Sequence, residues 1–206
     1  MKMKKLMTVA SALLCAGLCV SCMSTGGTGS GGTKVKRIEA SEVQDLSGYW
    51  NDKDVQIVCE GLINECVASP RISQFREKNN RAPIVKLGKI TNNSVEKIDT
   101  VIVANKFRSA IINSSVMEFV ASDDEVAAIR NERNQQEDYA NPATAAAQGN
   151  ETGADYLLQG SIRTLVDEID GKKTRTYYVN AELHDIETTR ILWSSENSIR
   201  KYITTK

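Results

Sequence analysis

From Val55 the apolar positions recur every three or four residues, at Val55, Val58, Cys59, Leu62, Ile63 and Cys66. That spacing predicts a helix with one buried face. The preceding "DLSGYWND" supplies its start, because Asn51 or Asp52 can cap the helix and Trp50 can pack just before it. After Pro70 the pattern lapses into a polar stretch to Asn80, read as irregular, and "APIVKLGKI" then reads as a short strand. Val103, Phe107, Ala110 and Ile111 mark a second helix begun near Asp99, and "SVMEFVAS" a second strand. Ser122 and Glu125 have capping-box spacing, so a third helix starts there. Its apolar face ends at Ile129, and the following "RNERNQQEDYAN" is polar enough to project into solvent. Asn141-Pro142 can open a fourth, alanine-rich helix that Gly149 or Gly153 closes.

The C-terminal third changes period from 3.6 to 2. Asp170-Gly171 is a hairpin signal, and a two-residue loop there places Ile162 opposite Val179 and Leu158 opposite Leu183. Leu158, Ile162 and Val166 then share one buried side with Tyr177, Val179, Ala181 and Leu183, while Arg163, Asn180, Glu182 and His184 fall on the other, wet side. A second hairpin turns through Glu187-Thr188-Thr189 into "RILWSSENSIRKYI", bringing Ile191 and Trp193 toward the core. The expected order is α-β-α-β-α-α-β-β-β, an α/β domain with a mixed sheet of about five strands and about four helices.

The N-terminus follows neither period. Lys2, Lys4 and Lys5 precede a nearly uncharged run from Leu6 to Leu18, a secretory signal too short to span a bilayer. Of the three early cysteines only Cys22 directly follows a small residue, Ser21. The arrangement resembles the lipobox of bacterial lipoproteins, with Cys19 standing where Leu is usual, and Cys22 would become the acylated first residue. An ordinary secretory signal is the alternative. Met23 to Gly32 is Gly, Ser and Thr with one Met, which offers nothing to bury against the entropy of ordering. The chain therefore divides into a signal at 1–21, a lipidated cysteine with a flexible tether at 22–44, and a globular domain at 45–206. From Cys22 to Asp45 the tether has a root-mean-square reach of roughly 25 Å and a stretched limit of roughly 80 Å.

Charge narrows the partners. The chain has 26 basic and 26 acidic residues, and loss of the three signal lysines leaves 23 against 26 with no basic block. Nucleic acid is excluded on that balance. Cys59 and Cys66 lie on one helical face about 10 Å apart along the axis, beyond disulfide reach, and read as buried thiols. His184 is the only histidine, and its neighbour Asp185 points to the opposite sheet face, so the two form no base-orienter pair. Zinc would need a second histidine or closer cysteines. Asp123/Asp124 sit in a helix's opening turn and Asp167/Glu168 flank a hairpin, ordinary places for acid. No catalytic group, metal, cofactor or small-molecule substrate is expected.

The segments "DLSGYWNDKD", "KLGKITNNSVEKIDT", "EFVAS", "GNETGADYLLQGSI" and "YVNAELHDIETTRILW", in this order behind a lipoprotein signal, resemble the penicillin-binding-protein activator LpoB family. The resemblance runs from about Asp45 to Tyr202. It implies a TolB N-terminal-like α/β domain on an outer-membrane lipoprotein facing the periplasm, which binds a bifunctional peptidoglycan synthase, stimulates its glycosyltransferase and transpeptidase activities, and performs no catalysis itself. This chain departs in its tether, a short Gly/Ser/Thr run where well-studied members have long Pro- and Gln-rich linkers. The alternative is a structural or assembly lipoprotein, as TolB-like domains are in curli-type secretion. The partner surface expected from the residues is the wet face of Arg163, Asn180, Glu182 and His184, with the polar helix from Arg130 to Tyr139 as its competitor. For the anchor, Cys22→Ala should abolish acylation and lipoprotein-type processing. Metabolic labelling with a fatty acid checks this, and a labelled variant would rule the anchor out.

Overall fold

The structure is a computed structural model that describes residues 47–204. The signal, Cys22 and the whole of the tether at 22–44 lie outside the described residues. Among the described residues no helix is long and apolar enough to cross a membrane.

Helix α1 (Asp52–Val67) starts at Asn51, whose side-chain oxygen accepts from the Lys53 and Asp54 amides at 3.0 and 3.1 Å, while the Asp54 carboxylate accepts from the Asn51 amide at 2.9 Å. This capping box satisfies donors that the first turn leaves open. All six apolar residues expected on its inner face are buried.

The stretch expected to be irregular forms helix α2 (Pro70–Asn79). Ser69 caps it, Pro70 occupies the first turn where its missing N–H costs nothing, and Asn80 ends it in the left-handed conformation. The apolar signal there is thin, with only Ile72 buried and Phe75 meeting the Tyr156 ring edge-on at 5.4 Å. Strand β1 (Ile84–Asn92), helix α3 (Thr100–Ser114, capped by Asp99), strand β2 (Glu118–Phe119) and helix α4 (Asp123–Tyr139, capped by Ser122) follow as expected, with β2 reduced to two residues.

The fourth helix expected after Asn141-Pro142 does not form, and residues 141–153 make turns. Asn141 Oδ1 takes the Ala143 amide at 2.9 Å and Gln136 Oε1 takes the Ala146 amide at 3.0 Å. The Asn141 bond is that of an N-cap, and the Ala145 amide bonds the Asn141 carbonyl at 3.0 Å, so one turn forms; Gln136 then takes the amide that would continue it, and an alanine run without an apolar face has little to offset nucleation. Helices before the hairpins are thus four in number, with α2 in place of the alanine helix.

Strands β3 (Tyr156–Ile169), β4 (Lys172–Asp185) and β5 (Ile191–Thr204) complete a sheet of order β2-β1-β3-β4-β5, parallel from β2 to β3 and antiparallel from β3 to β5. Asp170 and Gly171 both have positive φ, 46° and 72°, the backbone of a two-residue hairpin turn that Gly accepts without strain. The register is as expected: Ile162 faces Val179 and Leu158 faces Leu183. Those four residues and Tyr177 are fully buried beneath α1 and α3 residues such as Val58, Leu62, Phe107 and Ile111.

Two inward assignments fail. Val166 is 38 % exposed, as β3 from Arg163 to Ile169 carries no buried residue. Strands of 14 residues run about 46 Å whereas the 16-residue α1 covers about 24 Å, so the hairpin outruns the helix layer. Ile191 is 57 % exposed because the β4–β5 register slips by one residue between Leu183 and His184. The extra residue, Leu192, turns inward with Trp193, and Ile191 rotates to the open side beside His184.

Cys59 and Cys66 are both free thiols in the core, and burial pushes each up to about 12. The native protein should therefore resist a thiol reagent at pH 8 until it unfolds, and Cys66→Ser should cost roughly 1 to 3 kcal/mol through its buried hydroxyl. Thiol titration and denaturant melts check both, and a native mass 2 Da low would contradict free thiols.

Candidate interaction surface

Antiparallel pairing puts the even residues of β4 and β5 on the face away from the helices. Asn180 lies opposite Glu196 and Glu182 opposite Ser194, while Arg163 of β3 lies opposite Tyr178 and is the diagonal neighbour of Asn180. The structure joins three of the four expected residues. Asn180 Nδ2 donates to Ser194 Oγ and to the Ser195 carbonyl, both at 3.3 Å. Ser194 Oγ donates to Glu182 Oε1 at 3.3 Å, and Glu182 Oε2 lies 3.3 Å from His184 Nε2. Arg163 is exposed on the same face but outside this chain of contacts. Asp185 is on the reverse side, where Oδ1 accepts the Thr188 amide at 2.7 Å, so it does not orient His184.

Sequence reading missed the outer row of this face: Ser194, Glu196, Ser198 and Arg200 are all exposed. Their signal was present as polar residues at every second position of "SSENSIR", but on β5 only Ile191 and Trp193 were given a side.

On the reverse side a buried polar knot fixes the segment leading into α1. Arg175 Nε lies 3.1 Å from Glu96 Oε1, their side chains 9 % and 10 % exposed, an ion pair rather than an aligned hydrogen bond. Tyr177 Oη donates to Glu96 at 2.8 Å, and Arg175 donates to the Gly48 carbonyl at 3.0 Å with its guanidinium 4.2 Å from the centre of the Tyr49 ring. Burial, then the Glu96 carboxylate, raises the Tyr177 phenol well above its ordinary value. Beside this knot Lys201 Nζ reaches Asp54 at 2.6 Å and the Tyr49 carbonyl at 2.8 Å. A Cβ on Gly48 would collide with the Ile203 side chain, so any larger residue there would have to displace Ile203.

The competing surface, α4, buries no residue. The return segment lies along it: Glu151 takes Arg130 through two bonds, at 2.9 and 2.8 Å, and Arg133 at 2.8 Å. Together with Lys86, Asp123 and the apolar Val120, Val126 and Ile129, this region walls a groove of about 460 Å³. Nearly every charge there is already paired, unlike the exposed Arg163 and Glu196 on the sheet.

The family model described as peptidoglycan-synthase activator LpoB matches residues 54–199. No curated protein sequence matches the chain. Among solved structures, the LpoB C-terminal domain from Salmonella enterica matches with a TM-score of 0.43 at 13 % identity, covering 71 % of this chain and 98 % of that one. The NMR structure of E. coli LpoB matches with 0.40 at 13 % identity, over 97 % and 94 %. The PelC dodecamer from Paraburkholderia phytofirmans matches with 0.34 at 11 % identity, over 58 % and 72 %.

Arg130 first, then Arg133, holds Glu151 down to about 2, from an ordinary 4.5. A carboxylate depressed on folding contributes above its unfolded value and loses that contribution as pH falls through the folded one. The return segment should therefore stay clasped at pH 3.5 and loosen toward pH 2, and replacing both arginines with Ala should move the Glu151 midpoint up toward 4.5. Carboxyl-carbon NMR titration with amide exchange over 146–154 measures it, and an unmoved midpoint would show that the arginines are not the cause.

Proposed function

Because the chain belongs to the LpoB family of peptidoglycan-synthase activators, we propose that its folded part binds a bifunctional penicillin-binding protein and raises that enzyme's polymerising and cross-linking activities, contributing no catalytic group of its own. Cys22 carries the acyl chains that hold it at the outer membrane, facing the periplasm. At about 0.8 kcal/mol per buried methylene, two or three chains make that attachment effectively permanent.

The observation that carries the docking surface is the asymmetry of the sheet. One side buries Leu158, Ile162, Tyr177, Val179 and Leu183 under helices, whereas the other carries Asn180, Glu182 and His184, linked through Ser194, with Arg163 exposed on the same face. Side chains held on strands lose little freedom on binding, and their charges steer encounter and fix orientation. The wall polymer is made by the partner; this protein changes the partner's rate by binding its more active state with higher affinity, the only way a non-catalytic ligand shifts such an equilibrium.

Charge reversal tests the surface. Arg163→Glu or Glu182→Lys should weaken binding to the synthase about tenfold, with a matching loss of stimulated glycan polymerisation, and leave the thermal midpoint nearly unchanged. Lipid II polymerisation and surface plasmon resonance with the purified synthase measure both. Intact binding in these variants, with loss on reversal of Arg130 and Arg133, would move the contact to α4. Intact stimulation after both sets would refute a charged docking surface on either element.

A further inference from the structure

The return segment after α4 covers a groove that it does not fill. It is pinned at both ends. Asn141 and Gln136 hold Ala145 and Ala146, whose amides donate to the Asn141 carbonyl and to Gln136 Oε1 at 3.0 Å each. Asp155 is locked by both terminal nitrogens of Arg81 at 2.7 Å and by the Ile84 amide at 2.8 Å. Between these points, among the described residues, no backbone hydrogen bond reaches 147–153, and every residue from Ala146 to Gly153 is exposed. The span hangs on polar side chains: Gln148 donates to Asn134 at 2.9 Å, and Glu151 accepts from Arg130 and Arg133. Gly149, with φ at 79°, and Gly153, where a Cβ would meet nothing within 4 Å, stand two residues to either side of Glu151. A span that buries no apolar surface and is held by largely exposed ion pairs opens at little cost. Beneath it the floor of Val120, Val126 and Ile129 stays partly open to solvent and continues past Ile129 to the exposed Ile112 of α3.

We propose that residues 147–153 are a latch over a site for an acidic segment of a partner protein with apolar residues beside its carboxylate, and that Glu151 fills the carboxylate position from within the chain. The charges that wall the groove are Lys86, Arg130 and Arg133 against Asp123 and Glu151. Asp123 is held by Lys86 at 2.6 Å; outside the walls Glu125 is held by Arg108, and Glu132 accepts from Gln136. With Glu151 swung out, the walls carry three bases to one acid, so the vacated place favours an anion. Its geometry is the one Glu151 already shows, two bonds from Arg130 and one from Arg133, a fork that fits a planar carboxylate. Glu151 competes from inside at an effective concentration on the order of millimolar, set by the pinned span. An outside carboxylate alone gains nothing over it. One with apolar side chains beside it also gains the floor, which the exposed Asn150, Thr152 and Gly153 leave unused, and that surplus selects the occupant. The site shares no residue with the sheet face proposed for the synthase and does not rest on that reading.

The probe is acetyl-Leu-Glu-Thr-Leu-amide titrated into the full-length protein in detergent, with the Arg130 Nε–H and the Val126 and Ile129 methyl signals followed by NMR. It should shift both sets, and Glu151→Ala should tighten its binding about tenfold by removing the internal competitor. Acetyl-Leu-Gln-Thr-Leu-amide should bind either protein at least about tenfold more weakly. Acetyl-Ala-Glu-Thr-Ala-amide should bind the variant and leave the wild-type signals in place, because it cannot gain the floor. Should Glu151→Ala misfold, the three peptides against the wild type decide. Equal affinity for wild type and variant would show that Glu151 fills no such site, and equal binding of the Glu and Gln peptides would remove the carboxylate position. Shifts confined to Arg163 and Arg200 would put the acidic segment on the sheet instead. Each of these, or unmoved signals throughout, overturns the proposal.

Discussion

The arrangement turns on a carboxylate placed where a carboxylate is expensive. Glu96 lies beneath the segment that leads into α1, and Arg175 and Tyr177 of β4 converge on it from the sheet. Withdrawing such a pair from water is costly, and the attraction between the partners offsets that only when the remaining hydrogen-bonding positions are filled. Here they are nearly filled, by Tyr177 Oη on Glu96 and by the Gly48 carbonyl on Arg175. The knot therefore enforces position more than it adds stability. Removing one partner would strand a buried charge, at a cost of about 3 to 5 kcal/mol. It fixes three separate parts of the chain at one point: residues 48–50, the loop before α3, and the middle of β4. With the first of these pinned, Asn51 caps α1 in the place where Asp54 can also reach Lys201, which sets α1 over β5. Both sides of the sheet follow from that placement, because a helix over β5 leaves the opposite face open.

The elements most legible in the sequence were those whose rules are local. The Asp170-Gly171 turn dictates its own backbone, and the alternation on each side admits one register, so the pairing of β3 with β4 could be derived in full. The cap at Ser122 and a helix start near Asp99 were readable for the same reason, while the first cap stayed open between Asn51 and Asp52. The alanine run after Pro142 had good propensity and nothing to bury, while α2 had weak propensity but Ser69-Pro70 at its start and Phe75 against Tyr156 to hold it. Propensity misled at both because tertiary contact decided them.

The interaction surface was legible in part for a related reason. Arg163, Asn180, Glu182 and His184 could be placed on one face from parity alone, but their connection through Ser194 needed the β4–β5 register. That register contains a bulge no parity argument supplies. It arises because Leu192 and Trp193 both pack on the core, and a regular strand can turn only one of two adjacent side chains inward. The knot was beyond sequence altogether. Glu96 and Tyr177 are 81 residues apart, and neither has a local pattern that marks it for burial beside the other.

β5 borders the open face, and its two sets of residues have different tasks. Its even residues Ser194, Glu196, Ser198 and Arg200 place their side chains on the open face. Because the odd residues are committed to β4 and to α1, the strand cannot shift register without moving Asn197 from under Gly61 and Lys201 from Asp54. A partner resting on the open face therefore meets side chains whose positions are set from the opposite side of the sheet, and not ones that a sliding of β5 could rearrange.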